Sequence, residues 1–101
     1  MPRVIFTISY QIKEKSREEY LETVQALKNH LHLEKHKDYS VYESKSHANH
    51  FSEVYICNSI EEYDQIEDDS DEYTEQLINR IVGDYIVKSS RVEYQTLIET
   101  A

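Results

Sequence analysis

From Val4 onward the apolar positions alternate, with Val4, Phe6, Ile8, Tyr10 and Ile12 on one side and Ile5, Thr7, Ser9 and Gln11 on the other. A period of two predicts a strand with one dry face and one wetter face. After "KEK" the period lengthens. Tyr20, Val24, Leu27 and Leu31 fall within about 60° of one another on a helix, so they share one stripe. Ser16 and Glu19 stand at capping-box spacing, in which hydroxyl and carboxylate each satisfy a free amide of the first turn, and a helix is predicted to start there.

Two segments rich in β-branched and aromatic residues follow, "DYSVYESKS" and "FSEVYICNS", separated by the polar "HANH". They predict an antiparallel hairpin. Ser59 and Glu62 repeat the capping spacing, and Ile60, Tyr63 and Ile66 follow in steps of three, so a short helix is predicted at once, broken near "DDSD". From about Asp71 a further helical stripe runs through Leu77, Ile78, Ile81 and Tyr85, with Gly83, the only glycine, as its end or its weakest point. "RVEYQTLIE" alternates again as a last strand.

The order strand, helix, strand, strand, helix, strand predicts an α+β, ferredoxin-like domain: a four-stranded antiparallel sheet with both helices on one face. A chain of 101 residues makes this one domain spanning residues 1–101. The other face of the sheet is then uncovered. Ile5, Thr7 and Ser9 are expected there, joined by some of Tyr39, Tyr42, Tyr55, Cys57 and Leu97. Isolated domains seldom expose so much contiguous apolar surface, so a second copy is the expected partner, giving a homodimer closed sheet to sheet. Ser9, Tyr42, Tyr55 and Tyr94 are the expected ligand-binding residues, as hydroxyl donors in a pocket or seam.

Charge removes several function classes. Twenty acids against eleven bases give a formal net charge of -9, which disfavours nucleic acid and anionic membrane surfaces. Nine of the acids lie between Glu61 and Glu75 with no base among them. They lack the glycine and ligand spacing of a calcium loop and suggest a solvated helix face, with an acidic docking module as the alternative. The single cysteine, Cys57, permits no intrachain disulfide, and no segment has the length of a membrane span, so a cytoplasmic location is expected.

Candidate chemistry is sparse. "NHLHLEKH" gathers three of the five histidines, but His30 falls about 90° to one side of the apolar stripe and His32 about 110° to the other. They point apart, whereas zinc needs three or four converging ligands. No metal is therefore expected, and the histidines and lysines there suit a helix C-terminus, whose partial negative charge they offset. Pro2 would become an N-terminal secondary amine once Met1 is removed, a base in tautomerases, with only Arg3 nearby to lower its pKa. Cys57 reads as a small buried hydrophobe, and one glycine rules out a phosphate loop.

Taken together, "RVIFTISYQIK", "SREEYLETVQALKNHL", the hairpin, "NSIEEYDQI" with its broken helix, and "RVEYQTLIE" resemble a dimeric α/β-barrel domain of the antibiotic biosynthesis monooxygenase-like (ABM-like) type. The resemblance covers nearly the whole chain and implies a sheet-to-sheet homodimer, often with a small cavity between sheet and helices. It also implies a range of activities, from cofactor-free oxygenases on aromatic polyketides to haem-degrading oxygenases. The haem-degrading branch relies on an asparagine in the first strand, a tryptophan and a histidine on the second helix. Here the strand has Thr7 and Ser9, tryptophan is absent, and residues 60–87 hold no histidine. The expectation is a homodimer that needs no cofactor and holds a small apolar or aromatic molecule, the alternative being a cofactor-independent monooxygenase or isomerase.

Overall fold

The computed structural model describes residues 2–101. Strands β1 (Val4–Gln11), β2 (Asp38–Glu43), β3 (His50–Cys57) and β4 (Glu93–Ile98) form one sheet in the order β2-β3-β1-β4. Every neighbouring pair is antiparallel. Helix α1 (Arg17–Leu33) joins β1 to β2, and α2 (Ile60–Asp64) with α3 (Glu72–Arg80) joins β3 to β4. This is the expected α+β, ferredoxin-like arrangement.

The α1 stripe does what its spacing predicts. Tyr20, Val24, Leu27 and Leu31 are buried against the sheet, with Tyr20 and Leu27 wholly closed to solvent. Burial of a side chain of that size stabilises the fold by about 1.5–3 kcal/mol. The start of α1 differs from expectation. Ser16 makes no side-chain cap, because a 3₁₀ turn over Glu14–Ser16 leads directly into the helix and the Ser16 amide already donates to the Lys13 carbonyl at 3.0 Å. Glu19 therefore has no amide to reach back to.

The second cap forms, displaced by one residue. The Ser59 hydroxyl accepts from the Glu62 amide at 3.1 Å, while the Glu62 carboxylate accepts from the Asn58 amide at 2.7 Å instead of from Ser59. After the break, Asp71 caps α3 by accepting from the Thr74 amide at 2.9 Å. Leu77, Ile81 and Tyr85 are buried, yet they do not lie on one uniform helix. From Ile81 to Tyr85 the winding relaxes to a π turn, closed by the Ile86 amide on the Ile81 carbonyl at 3.1 Å. Gly83 sits in its middle, and a Cβ there would meet nothing within 4 Å.

The wide turn then docks on the sheet. Lys13 donates to the Tyr85 carbonyl and Val87 to the Gln11 carbonyl, both at 2.9 Å, and Ile12 bridges Ile86. The end of the second helical connection is thereby fixed to the end of β1, where it roofs one end of the covered sheet face.

Candidate functional site

β3 carries the site. Its alternation places Phe51, Glu53, Tyr55 and Cys57 under the helices, and three of these four are ordinary buried hydrophobes. Glu53 is the exception, at 5% exposure. A carboxylate in so dry a place needs partners. It has two: the Tyr39 hydroxyl donates to Oε1 at 2.6 Å and the Tyr10 hydroxyl donates to Oε2 at 2.7 Å. The Tyr10 oxygen also lies 2.7 Å from the Tyr20 hydroxyl on α1, so the carboxyl is held by a chain of phenols reaching from β2 to α1.

Opposed forces act on the Glu53 proton. Burial pushes its pKa up, and the hydrogen bonds from Tyr39 and Tyr10 pull it down, with the rise prevailing. The Tyr10 and Tyr39 hydroxyls are pushed up by burial first and by the neighbouring carboxylate second, which keeps both as donors. Among the described residues no lysine, arginine or histidine lines the cavity beside Glu53.

That cavity, of about 130 Å³, lies between the sheet and the α3–π-turn segment. Glu53 and Tyr10 are set in its wall with Ile8, Tyr55, Ile78, Ile81, Val82, Ile86, Val92 and Tyr94. Val82 and Tyr94, at 60% and 68% exposure, form the rim of its mouth. A larger open groove of about 510 Å³ runs between the end of α1 and the acidic stretch before α3. Tyr55 and Ile78 line both hollows and so stand between them.

The other candidate groups are occupied or dispersed. His30 Nε2 lies 2.8 Å from Asp71 and His32 Nε2 lies 3.2 Å from the Tyr39 carbonyl, so the two serve different elements. Among the described residues no three His, Cys, Asp or Glu side chains converge as metal ligands would. The acidic run is not solvated throughout: Lys37 reaches Asp69 at 2.9 Å and Lys35 reaches Asp71 at 3.5 Å. Cys57 is buried, which pushes its thiol pKa up. Arg3, the cation nearest Pro2, is bound to Glu99 at 3.3 Å.

No family model matches the chain, and no curated protein matches it in sequence. Solved structures do match. A Caulobacter crescentus protein named for antibiotic biosynthesis monooxygenase superposes with a TM-score of 0.74 at 11% identity, over 96% of this chain and 91% of that one. A structure named antibiotic biosynthesis monooxygenase gives 0.68 at 17% identity over 100% and 98% of the two chains. The fold is ABM-like. A Bacteroides thetaiotaomicron protein of unknown function, described as a possible oxidoreductase, shares it with a TM-score of 0.72 at 13% identity over 96% and 97%. At such identities the likeness is one of architecture.

On this ABM-like frame the four residues singled out in sequence separate into two pairs. Tyr55 and Tyr94 lie on the helix side and line the cavity. Ser9 and Tyr42 lie on the opposite face, Ser9 paired with the Ser52 hydroxyl at 2.8 Å and Tyr42 at 60% exposure. The open face holds part of the set expected there. Tyr39, Tyr55 and Cys57 point under the helices, since each follows the inward phase set by the β1–β3 and β2–β3 registers, and the open side retains Ile5, Tyr42 and Leu97. In sequence Glu53 carries no assignment, and Tyr10 and Tyr39 carry only a strand face. The available signal was an acid at an inward position, between Phe51 and Tyr55, in a strand whose other inward residues are apolar.

No helix is long and apolar enough to cross a membrane among the described residues.

Proposed function

We propose that the chain binds a small apolar or aromatic molecule, about one ring in size, in the cavity between sheet and helices, with a polar atom of the ligand meeting Glu53. The observation that carries this is a hydrogen-bonded carboxyl set into an otherwise apolar and aromatic hollow. Binding sites are apolar concavities with few placed polar groups. At about 130 Å³ the hollow is near the roughly 150 Å³ of an apolar void that takes up benzene.

The test is a panel of single-ring phenols, ketones and hydrocarbons titrated into labelled protein and followed by NMR. Ligand-induced shifts are expected at Ile8, Ile78 and Ile81, and Val82→Trp at the mouth should abolish them. A panel that leaves those resonances unmoved in the wild type sinks the proposal.

Two further proposals accompany it. Cofactor-independent oxygenase or isomerase activity is favoured by Glu53, because a carboxyl whose pKa is raised inside a cavity suits proton transfer, and by the names of proteins sharing the fold. Pairing of two copies through the open face is supported by Ile5 at 37%, Leu97 at 48% and Tyr42 at 60% exposure. Sedimentation over a range of concentrations tests it, and a single species of one-chain mass throughout would remove it.

A further inference from the structure

We infer that Glu53 is a base that moves a proton on a small ketone or enol held in the cavity, with the Tyr55 hydroxyl as the donor to the oxygen that gathers charge. This rests on the binding proposed above and adds a reaction to it.

Three placements carry it. Glu53 lines the cavity, and each oxygen of its carboxyl accepts one tyrosine hydroxyl. A carboxylate oxygen can accept more than one hydrogen bond, so capacity for a further proton is retained. Next, the carboxyl cannot swing freely, because Tyr10 is itself pinned to Tyr20 at 2.7 Å and Tyr39 is closed to solvent. Such fixed dipoles need no rearrangement when charge moves, which is the main source of catalytic stabilisation in closed sites. Lastly, Tyr55 follows Glu53 by two residues on the same strand face, about 7 Å along β3. Tyr55 lines the same cavity, and its hydroxyl takes no part in the chain that holds Glu53.

The reaction balances without a cofactor. The Glu53 carboxylate takes a proton from the carbon beside the ketone. The C–H electron pair becomes the carbon–carbon double bond of an enolate, and the carbonyl π pair moves onto oxygen, where the Tyr55 hydroxyl donates a hydrogen bond. The Glu53 acid then delivers a proton, either the one it took or one exchanged with solvent through the cavity mouth, to the same carbon or to the far end of a conjugated enolate. Nothing is oxidised or reduced, and the net change is exchange or isomerisation.

Cyclohexanone in D₂O is the probe. Wild-type protein is expected to exchange the hydrogens beside the carbonyl for deuterium, followed by proton NMR, while saturation transfer reports binding separately. Glu53→Gln should bind the ketone and lose at least about 100-fold of the exchange rate, and Tyr55→Phe should bind and lose roughly 100-fold. If Glu53→Gln does not fold, Val82→Trp closes the mouth from an exposed position with the carboxyl intact, and exchange must stop. Binding by the wild type without exchange overturns the proton transfer and leaves the binding proposal standing. Failure to bind overturns both. Exchange that survives in Glu53→Gln or Val82→Trp overturns the assignment to Glu53.

Discussion

The covered and open faces of the sheet are drawn from the same strands and break the rule of alternation in opposite ways. The covered face keeps an acid in the dry, Glu53 beneath Tyr10 and Tyr39. The open face keeps apolar groups in the wet, Ile5 and Leu97. The two departures differ in weight. An exposed leucine is common and costs little, whereas a buried carboxyl without partners would be strongly destabilising. The covered face is therefore the more informative about function, because it persists only through side chains arranged around one group.

Glu53→Ala should show the largest effect. It orphans the Tyr39 hydroxyl, deprives Tyr10 of one partner and leaves a void, for a loss of about 3 kcal/mol in urea unfolding. A loss under about 1 kcal/mol would mean that the covered face does not depend on its acid. Tyr39→Phe, which removes one donor and little volume, should cost about 1.5 kcal/mol by the same measurement.

pH separates Glu53 from an acid in the open. The folded pKa of Glu53 is raised, so its contribution is complete below the unfolded value of about 4.3 and is lost as pH rises through the folded value. Glu53→Gln lacks this titration, so the stability of the wild type relative to Glu53→Gln should fall from pH 4 toward pH 8. Glu43 moves the other way. Two hydrogen bonds from Arg17, at 2.6 and 2.7 Å, and one from the Asn49 amide hold it down to about 2. Its contribution is present above the unfolded value and lost as pH falls toward 2, so Glu43→Gln should flatten only the acid limb. Unfolding curves collected across pH 2–8 would show both slopes, and a wild type that tracks Glu53→Gln from pH 4 upward would refute the first.

The open face should give the smallest change in folding stability. Leu97→Lys is expected to stay within about 0.5 kcal/mol of the wild type while converting any two-chain species to one in sedimentation. A larger loss of folding stability would place Leu97 in a core rather than on a free surface.

Much of the architecture was legible because period two and the helical stripe speak directly about burial. α1 buried the residues its stripe marked, β1 buried Val4, Tyr10 and Ile12 and half-buried Phe6 and Ile8, and the helix break before Asp71 fell where "DDSD" indicated. The phase of the hairpin was harder. In β3, Val54 and Ile56 alternate with Tyr55 and Cys57, so both faces look apolar and only the register against β1 decides which is covered. That ambiguity left the faces of Tyr39 and Tyr55 undecided and concealed Glu53. The Ser16 cap failed for a different reason, since its spacing carries no information about a 3₁₀ turn arriving from upstream. The π turn at Ile81–Tyr85 likewise leaves no trace in a stripe that tolerates wide scatter.

The phenol chain Tyr20–Tyr10–Glu53–Tyr39 has a bearing on how the chain can drift over generations. No single step to an apolar residue replaces the acid without stranding a hydroxyl, so lineages that abandon it for an apolar side chain would first have to retire its neighbours, with phenylalanine at 39 the gentlest opening move. Descendants should thus carry the quartet whole or in a few ordered stages of decay, and a relative keeping both tyrosines of β1 and β2 around an aliphatic residue at 53 would be the rarest combination.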